Sequence, residues 1–287
     1  MRVSSLSLNL VVILGLSPLL VSYGEAGAPA SKVRIVAYIN ESSGCQQTTV
    51  QYLKDYARNQ HGAVSLEIVD FGTEEGFDRW RGDGFSCETI VVNGSYQLRL
   101  GTGNDARIVV FRMPEGVRWT FDDLAAVLAQ ELKSPRSSVL SDAEALALAK
   151  RTPVASRQSK SNGKPVGEVV VAAQTVFRFS SSLDGKSAVT RAEEAASALR
   201  KLYDSGLQSD EVQVAARSVG NGVAGVIVAR GQPIAVVGDA EADLIKRKPI
   251  QAAQFWAFNL RDALRLLEGP KDRVAPGGGL GGKGLTD

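Results

Sequence analysis

Histidine and cysteine are scarce in this sequence, which limits the chemistry that its side chains can perform. The 287 residues include one histidine and two cysteines, Cys45 and Cys87. Three such ligands cannot form a zinc site without several carboxylates. The single histidine, His61, lies beside Gly62 in a polar stretch, where we expect a surface residue rather than a catalytic base. The sequence therefore predicts no metal site and no chemistry based on histidine.

An excess of charge of one sign is also absent. The chain has 33 basic and 31 acidic side chains and a net charge of +2, which is too small to attract nucleic acid or an anionic membrane surface. Glycine-rich stretches at residues 101–103 and 277–282 do not lie between a buried strand and a helix, as a phosphate-binding loop must. We therefore expect no nucleic-acid partner and no cofactor.

Long apolar runs are missing beyond the first 30 residues. In the first 30 residues, Arg2 precedes a mostly apolar run at 6–21, and small residues follow at Ala26, Ala28 and Ala30. This pattern is typical of a signal peptide, residues 1–30. An uncleaved anchor is the alternative, but the run is shorter than the ~20 residues that a membrane span needs. We expect an exported protein, periplasmic or extracellular, with no stable membrane span after cleavage, in a compartment where disulfides persist.

The stretch from Val33 to Tyr56 combines a buried strand, a tight loop and a helix that opens at Cys45. Apolar residues at helical spacing follow this cysteine. A cysteine at such a junction lies at a helix N-terminus, where free N–H groups and the helix dipole stabilise a thiolate. Further elements are predicted up to Lys133: strands at 64–70, 88–92, 96–100 and 107–112, and helices at 74–81 and from the capping box at Thr120.

The resulting order, βαβα followed by ββα over residues 31–133, resembles the minimal thioredoxin fold. Cys45-Gln-Gln-Thr48 stands where that family has its C-x-x-C motif, with Thr48 in place of the second cysteine. Gly84-Phe-Ser-Cys87 stands where the family has its cis-proline loop, and it contains no proline. Because the cis-proline clamps substrate and the second cysteine resolves the internal disulfide, both departures argue against an ordinary dithiol oxidoreductase.

The resemblance implies that Cys45 and Cys87 are neighbours, because the two loops that carry them face each other in the thioredoxin fold. A disulfide between them is then expected. It is either a structural bond or a reversible redox pair, in which Cys45 and Cys87 are the catalytic residues. A third interpretation has Cys45 as a single nucleophilic thiol and Cys87 buried.

Composition changes after residue 133. Residues 134–165 are rich in Ser, Lys and Arg, which predicts a linker with one short helix at 142–150 and a flexible part at 151–165. A second, α+β domain is predicted at 166–269 in the order βαβββαα, with its first strand at 168–177. The glycine-rich end, 270–287, is expected to be a disordered tail.

The second region also carries a resemblance. The hairpin Ala224–Val237, then Asp239-Ala240, Phe255-Trp256-Ala257 and Arg261–Leu264, is similar to an exported domain found ahead of the membrane part of some bacterial mechanosensitive-channel homologues. The channel portion of those proteins has no counterpart here, so channel activity is not implied.

Together these patterns predict an α/β thioredoxin-like domain followed by a small α+β domain in an exported protein. We expect it to act without turnover in envelope binding or assembly, with an envelope protein as its partner. The alternative is an enzyme, a thiol–disulfide oxidoreductase that acts on a thiol partner through Cys45 and Cys87.

Overall fold

The first strand is apolar along almost its whole length because both of its faces are covered. In the computed structural model, which describes residues 32–268 except 114, 162, 220 and 221, β1 is Val33–Ile39. Ile35 and Ala37 pack into one core on one face of the strand, and Val36 and Tyr38 pack into a small second cluster on the other. β1 pairs in parallel with β2 (Val64–Asp70) and antiparallel with β3 (Thr89–Val92), giving the sheet order β2-β1-β3.

Two helices connect these three strands. The helix α1, Gln47–Asn59, buries Val50 and Leu53, and α2, Glu74–Gly82, begins at Thr73, whose hydroxyl accepts a hydrogen bond from the Gly76 amide. Cys45 was expected to open α1, but the helix begins two residues later. The cysteine therefore lies in the turn before the helix.

The chain after β3 leaves the first sheet. Asn93 and Gly94 form the predicted tight turn with positive φ, but the next strand, β4 (Gln97–Leu100), pairs with β5 (Arg107–Val110) rather than with β3. β3 instead contacts the end of this second hairpin through a hydrogen bond that the Ile90 amide donates to the Phe111 carbonyl. The helix α3, Phe121–Lys133, follows the predicted capping box, in which Thr120 and Asp123 exchange hydrogen bonds.

The segment predicted as a linker, residues 134–165, is mostly regular structure: the predicted short helix is present, whereas the prediction of a flexible part at 151–165 was wrong. It contains α4 (Asp142–Arg151) and β6 (Val154–Ser161). β6 is the edge of a five-stranded sheet with the order β4-β5-β8-β7-β6. Its side chains alternate between half-buried and exposed, so its polar composition reflects one solvated face of a strand.

The single strand predicted at 168–177 is also two strands. β7 (Lys164–Val171) and β8 (Gln174–Phe179) form a hairpin whose turn residues, Ala172 and Ala173, both have positive φ. Alanine rarely adopts this conformation, so the two alanines do not predict a turn. The remaining elements follow the predicted order: α5 (Ala188–Asp204), β9 (Val212–Val219), β10 (Gly222–Ala229), β11 (Gln232–Val237), α6 (Asp239–Leu244) and α7 (Pro249–Glu268).

The strand β5 connects the two halves of the molecule. Ile108 and Val110 point into a core shared with α5 and α7, whereas Val109 and Phe111 point into the core beneath β1. Contacts join the described residues into one compact unit. The protein is thus a mixed α/β structure in which strands from both predicted domains share a sheet.

None of the helices within the described ranges is both long and apolar enough to cross a membrane. The predicted signal peptide, 1–30, and the predicted tail, 270–287, lie outside the described residues.

Candidate functional site

The turn before α1 presents Cys45 to solvent. Asn40, just after β1, accepts hydrogen bonds from the amide and the hydroxyl of Ser42 through its side-chain oxygen. The buried Gln46 side chain accepts a hydrogen bond from the Asn40 amide at 2.6 Å. These contacts hold both ends of the turn. Cys45 is exposed, with its sulfur 3.0 Å from the Ser43 hydroxyl.

A cavity of about 150 Å³ opens beside this cysteine, and we call it the Cys45 cavity. Four parts of the chain meet there: the start of α1, the loop before β3, the segment between β5 and α3, and the segment between α6 and α7. Its walls combine polar, charged and apolar side chains: Cys45, Thr48, Thr49, Glu88, Met113, Glu115, Phe121, Leu244, Ile245, Lys246, Arg247 and Phe255.

Glu88 is the buried ionisable group of the Cys45 cavity. Its side chain is 4 % exposed, one carboxyl oxygen has no hydrogen-bond partner among the described residues, and Thr49 bonds the carboxyl. Burial raises the pKa of Glu88 to about 7; the Thr49 hydrogen bond lowers it and the nearby Glu115 carboxylate raises it further. Glu88 can therefore hold or release a proton near neutral pH.

Cys87 does not line this cavity. Its half-buried thiol lies beside the Arg112 guanidinium, which also stacks on the Tyr96 and Phe258 rings at 5.6 Å and 6.0 Å. The two neighbouring side chains thus have different partners: Glu88 contacts Thr49 of α1, and Cys87 contacts Arg112. Both cysteines are free thiols in the structure.

The structure therefore brings together the two loops that carry the predicted site residues, but gives their thiols different surroundings. Contact between the loops runs through Thr49 and Glu88. Sequence reasoning missed Glu88. The available signal was a carboxylate placed directly before the apolar strand at Thr89–Val92, a position where burial is expected to reach it.

A second concave region adjoins the Cys45 cavity, and we call it the Arg178 groove. It consists of two cavities of about 510 Å³ and 280 Å³, which share Thr120, Asp122 and Arg178. The β6–β7 hairpin forms one wall and the start of α3 the other. Glu115, Phe121 and Leu244 line both the larger cavity and the Cys45 cavity, so the two regions are continuous.

Buried ion pairs form the floor of this groove. Glu168, on β7, is 1 % exposed and binds both Arg178 and Arg157. Burial alone would raise its pKa, but the charges of Arg178 and Arg157 outweigh burial and hold the pKa at about 2. Arg107 pairs with Asp123, which also caps α3.

The remaining sequence predictions concern histidine and metals. His61 is exposed in the turn after α1, as predicted. Within the described part of the chain, no group of three or more histidine, cysteine or acidic side chains has an arrangement that holds a metal ion.

Comparison with known proteins identifies one similarity. A family model described as a domain of unknown function, DUF8459, matches residues 168–266. The match begins in β7 and ends in α7, so it covers the second half of the fold and excludes Cys45 and Cys87. No curated protein and no solved structure matches the chain at a significant level.

Proposed function

We propose that this protein is exported and binds a partner in the cell envelope at the Cys45 cavity, without turning it over. The proposal of export rests on the signal-like sequence of residues 1–30 and on the resemblance of the second region to an exported domain. The binding role rests on one observation: the exposed Cys45 lies at the mouth of a cavity where four separated segments converge.

A thioredoxin-like first half is part of this proposal. The order β2-β1-β3, with β1 parallel to β2 and antiparallel to β3, supports it. The position of Cys45 in the turn between β1 and α1 supports it as well. Two pairings depart from that pattern: β4 pairs with β5, and β5 pairs with β8.

Binding is favoured over dithiol exchange because the thiols are separated in their surroundings. Exchange through an internal disulfide requires one cysteine to attack the sulfur joined to the other. Cys45 lines the cavity, while Cys87 lies beside Arg112. A Cys45–Cys87 disulfide stays a prediction, and its formation requires the Cys87 side chain to turn away from Arg112.

A second candidate is thiol chemistry at Cys45, and the unpaired oxygen of Glu88 in the same cavity favours it. In such a step Glu88 takes the thiol proton, and the Cys45 thiolate attacks one sulfur of a partner disulfide. A new S–S bond forms, the old one breaks, and the other partner sulfur leaves as a thiolate that receives the proton from Glu88. The partner disulfide is the oxidant in this exchange.

Two measurements on the protein recovered from the envelope fraction separate these functions. A photo-crosslinking residue is placed at Thr48, which is exposed on the cavity wall, and for control at Gln51, which is exposed on α1 outside it. We expect one defined envelope partner to crosslink at position 48 and not at 51. Equal crosslinking at both positions would contradict binding at the cavity.

Turnover of a model disulfide is then compared between the wild type and Cys45→Ser. We expect both to match the uncatalysed rate. A wild-type rate well above it that Cys45→Ser abolishes would replace the binding function with the exchange function. Thiol counting under denaturing, non-reducing conditions tests the disulfide, because a bonded pair leaves no free thiol and an unbonded pair leaves two.

A further inference from the structure

We propose that the Arg178 groove binds a small monocarboxylate that carries an apolar body. The inference rests on the proposed function in one respect: it names the chemistry of a ligand that would bind next to the Cys45 cavity. Three observations carry it: three guanidiniums in the floor that share two carboxylates, unpaired lysines on the wall, and an exposed leucine at the end that meets the Cys45 cavity.

The floor retains positive charge, because the guanidiniums of Arg107, Arg157 and Arg178 share two carboxylates, Asp123 and Glu168. Arg178 is 4 % exposed; its Nε and Nη2 atoms both contact Glu168 at about 3 Å, and Nη2 also lies 3.6 Å from the Asp123 carboxylate. The third nitrogen, Nη1, has no partner in the part of the chain that the structure describes. A buried guanidinium with unused donors is energetically costly unless nearby negative charge compensates it.

The wall adds cations that are free to bind. Lys160 and Lys164 flank the turn of the β6–β7 hairpin, are exposed, and form no ion pair with the described residues. Arg157 contacts Glu168 through Nε and Nη2. Around the whole groove, five cationic side chains face four carboxylates, which leaves an excess of one positive charge.

That excess selects the charge of the ligand. A monoanion neutralises it, whereas a phosphate dianion would bring a second charge close to Asp122 and Glu115. A carboxylate has the size and planar shape that guanidinium and ammonium donors bind well. The ligand is therefore expected to carry one carboxylate.

An apolar surface extends from the charged end. Leu244 is 51 % exposed, one of the few large hydrophobic side chains in the described ranges that are so exposed. It lines the larger cavity of the groove together with the half-buried Phe121 and the buried Val166. Exposed apolar side chains that border a cavity mark a place where an apolar group is bound. This surface fits a short aliphatic or aromatic body.

The test is a titration of the full-length protein with hexanoate and with the uncharged hexanamide, in which NMR detects binding. We expect hexanoate to shift the Arg178 guanidinium signals and to bind at least tenfold more tightly than hexanamide. Acetyl-alanyl-leucine with a free carboxylate forms a third arm. Tighter binding of this dipeptide than of hexanoate assigns the site to a polypeptide end, and the reverse order assigns it to a free acid.

The variants keep the fold because the altered residues are exposed. Lys160→Gln combined with Lys164→Gln should weaken hexanoate binding about tenfold, while Lys201→Gln, an exposed change on α5, should leave it unchanged. Equal affinity for hexanoate and hexanamide, or an unaffected double variant, would overturn the proposal. Cys45→Ser should retain hexanoate binding, so failure of the partner interaction at the Cys45 cavity is distinguishable from failure here.

Discussion

At the scale of single residues, Glu88 determines the electrostatics of the candidate site. Burial, together with the nearby Glu115 carboxylate, makes its charged form costly and outweighs the Thr49 hydrogen bond, so the carboxyl takes up a proton at a pH where an exposed glutamate is ionised. A buried carboxyl with one unpaired oxygen lowers the stability of the folded protein. This cost is consistent with retention of the residue for a role at the Cys45 cavity.

The raised pKa makes folding stability depend on pH. Between 4.5 and about 7 the folded protein holds a proton that the unfolded chain has lost, so the free energy of unfolding falls as pH rises through this window and levels off above it. Glu88→Gln should reduce the fall in the free energy of unfolding over this pH window by up to about 3 kcal/mol. Urea unfolding at pH 5, 6, 7 and 8 measures it.

An exposed glutamate serves as the control for this measurement. Glu75→Gln, at an exposed position on α2, should leave the pH dependence of the wild type intact. If Glu88→Gln and the wild type have the same slope between pH 5 and 7, Glu88 is ionised in the folded protein throughout and the proposed proton transfer has no basis.

At the scale of elements, close approach of β10 and α7 depends on Gly225. A Cβ atom at this position would lie 2.5 Å from the Pro249 carbonyl oxygen and 2.5 Å from the Ala253 Cβ. Neither atom can move without shifting the helix backbone. The contact buries α7 against the sheet, and α7 also carries Trp256, which stacks on Phe177 of β8.

Gly225→Ala should therefore lower the free energy of unfolding by about 1–3 kcal/mol, because it forces helix and strand apart. Gly222→Ala, on the same strand, is the matched control, since its added Cβ meets only one atom at 3.7 Å. Thermal and urea unfolding of both variants provide the comparison. Equal stabilities for the two would mean that the β10–α7 spacing is not limiting.

The N-terminal cap of α3 is a second element with a testable contribution. Thr120 and Asp123 exchange hydrogen bonds at its first turn, and the same Asp123 pairs with Arg107 on β5. Thr120→Ala should cost about 1 kcal/mol of stability, whereas Thr120→Ser should keep most of it because the hydroxyl remains. A loss in Thr120→Ser as large as that in Thr120→Ala would point to packing of the methyl group instead.

At the scale of the whole molecule, the shared sheet predicts that the described residues unfold as one cooperative unit. β4 and β5 come from the first half and β6, β7 and β8 from the second, and β5 contributes side chains to both large cores. A protease site inserted at Gly163, in the turn between β6 and β7, should give a nicked protein that stays in one piece under native conditions. One unfolding transition is expected before and after cleavage.

Size-exclusion chromatography and unfolding curves test this cooperativity. Fragments near residues 31–161 and 164–268 that separate without denaturant, and that each unfold in their own transition, would restore the two-domain organisation predicted from composition. The same insertion in the exposed turn at Gly185 controls for the effect of the added site.

The proposed export has its own measurement. The small residues at Ala26, Ala28 and Ala30 predict cleavage after one of them. The intact mass of protein recovered from the envelope fraction should match a chain beginning at residue 27, 29 or 31. A full-length mass in the membrane fraction would instead support the uncleaved anchor.

The local elements of this protein follow from its sequence alone. Buried strands such as β1, capped helices such as α3, and the Asn93-Gly94 turn depend on neighbours within a few residues, so periodicity and cap residues suffice to predict them. The position of Cys45 between a strand and a helix was predicted in the same way. These are short-range properties, and they hold whatever the rest of the chain does.

Only the tertiary structure decided the pairings between distant segments. The union of β5 with β8, the strand character of the polar β6 and the burial of Glu88 all arise when segments far apart in sequence come into contact. No local pattern encodes such contacts, because each segment alone is compatible with several partners. The same physical reason separates the thiols: Glu88 lies in the cavity and the preceding Cys87 lies beside Arg112 only because distant segments come together around the loop before β3.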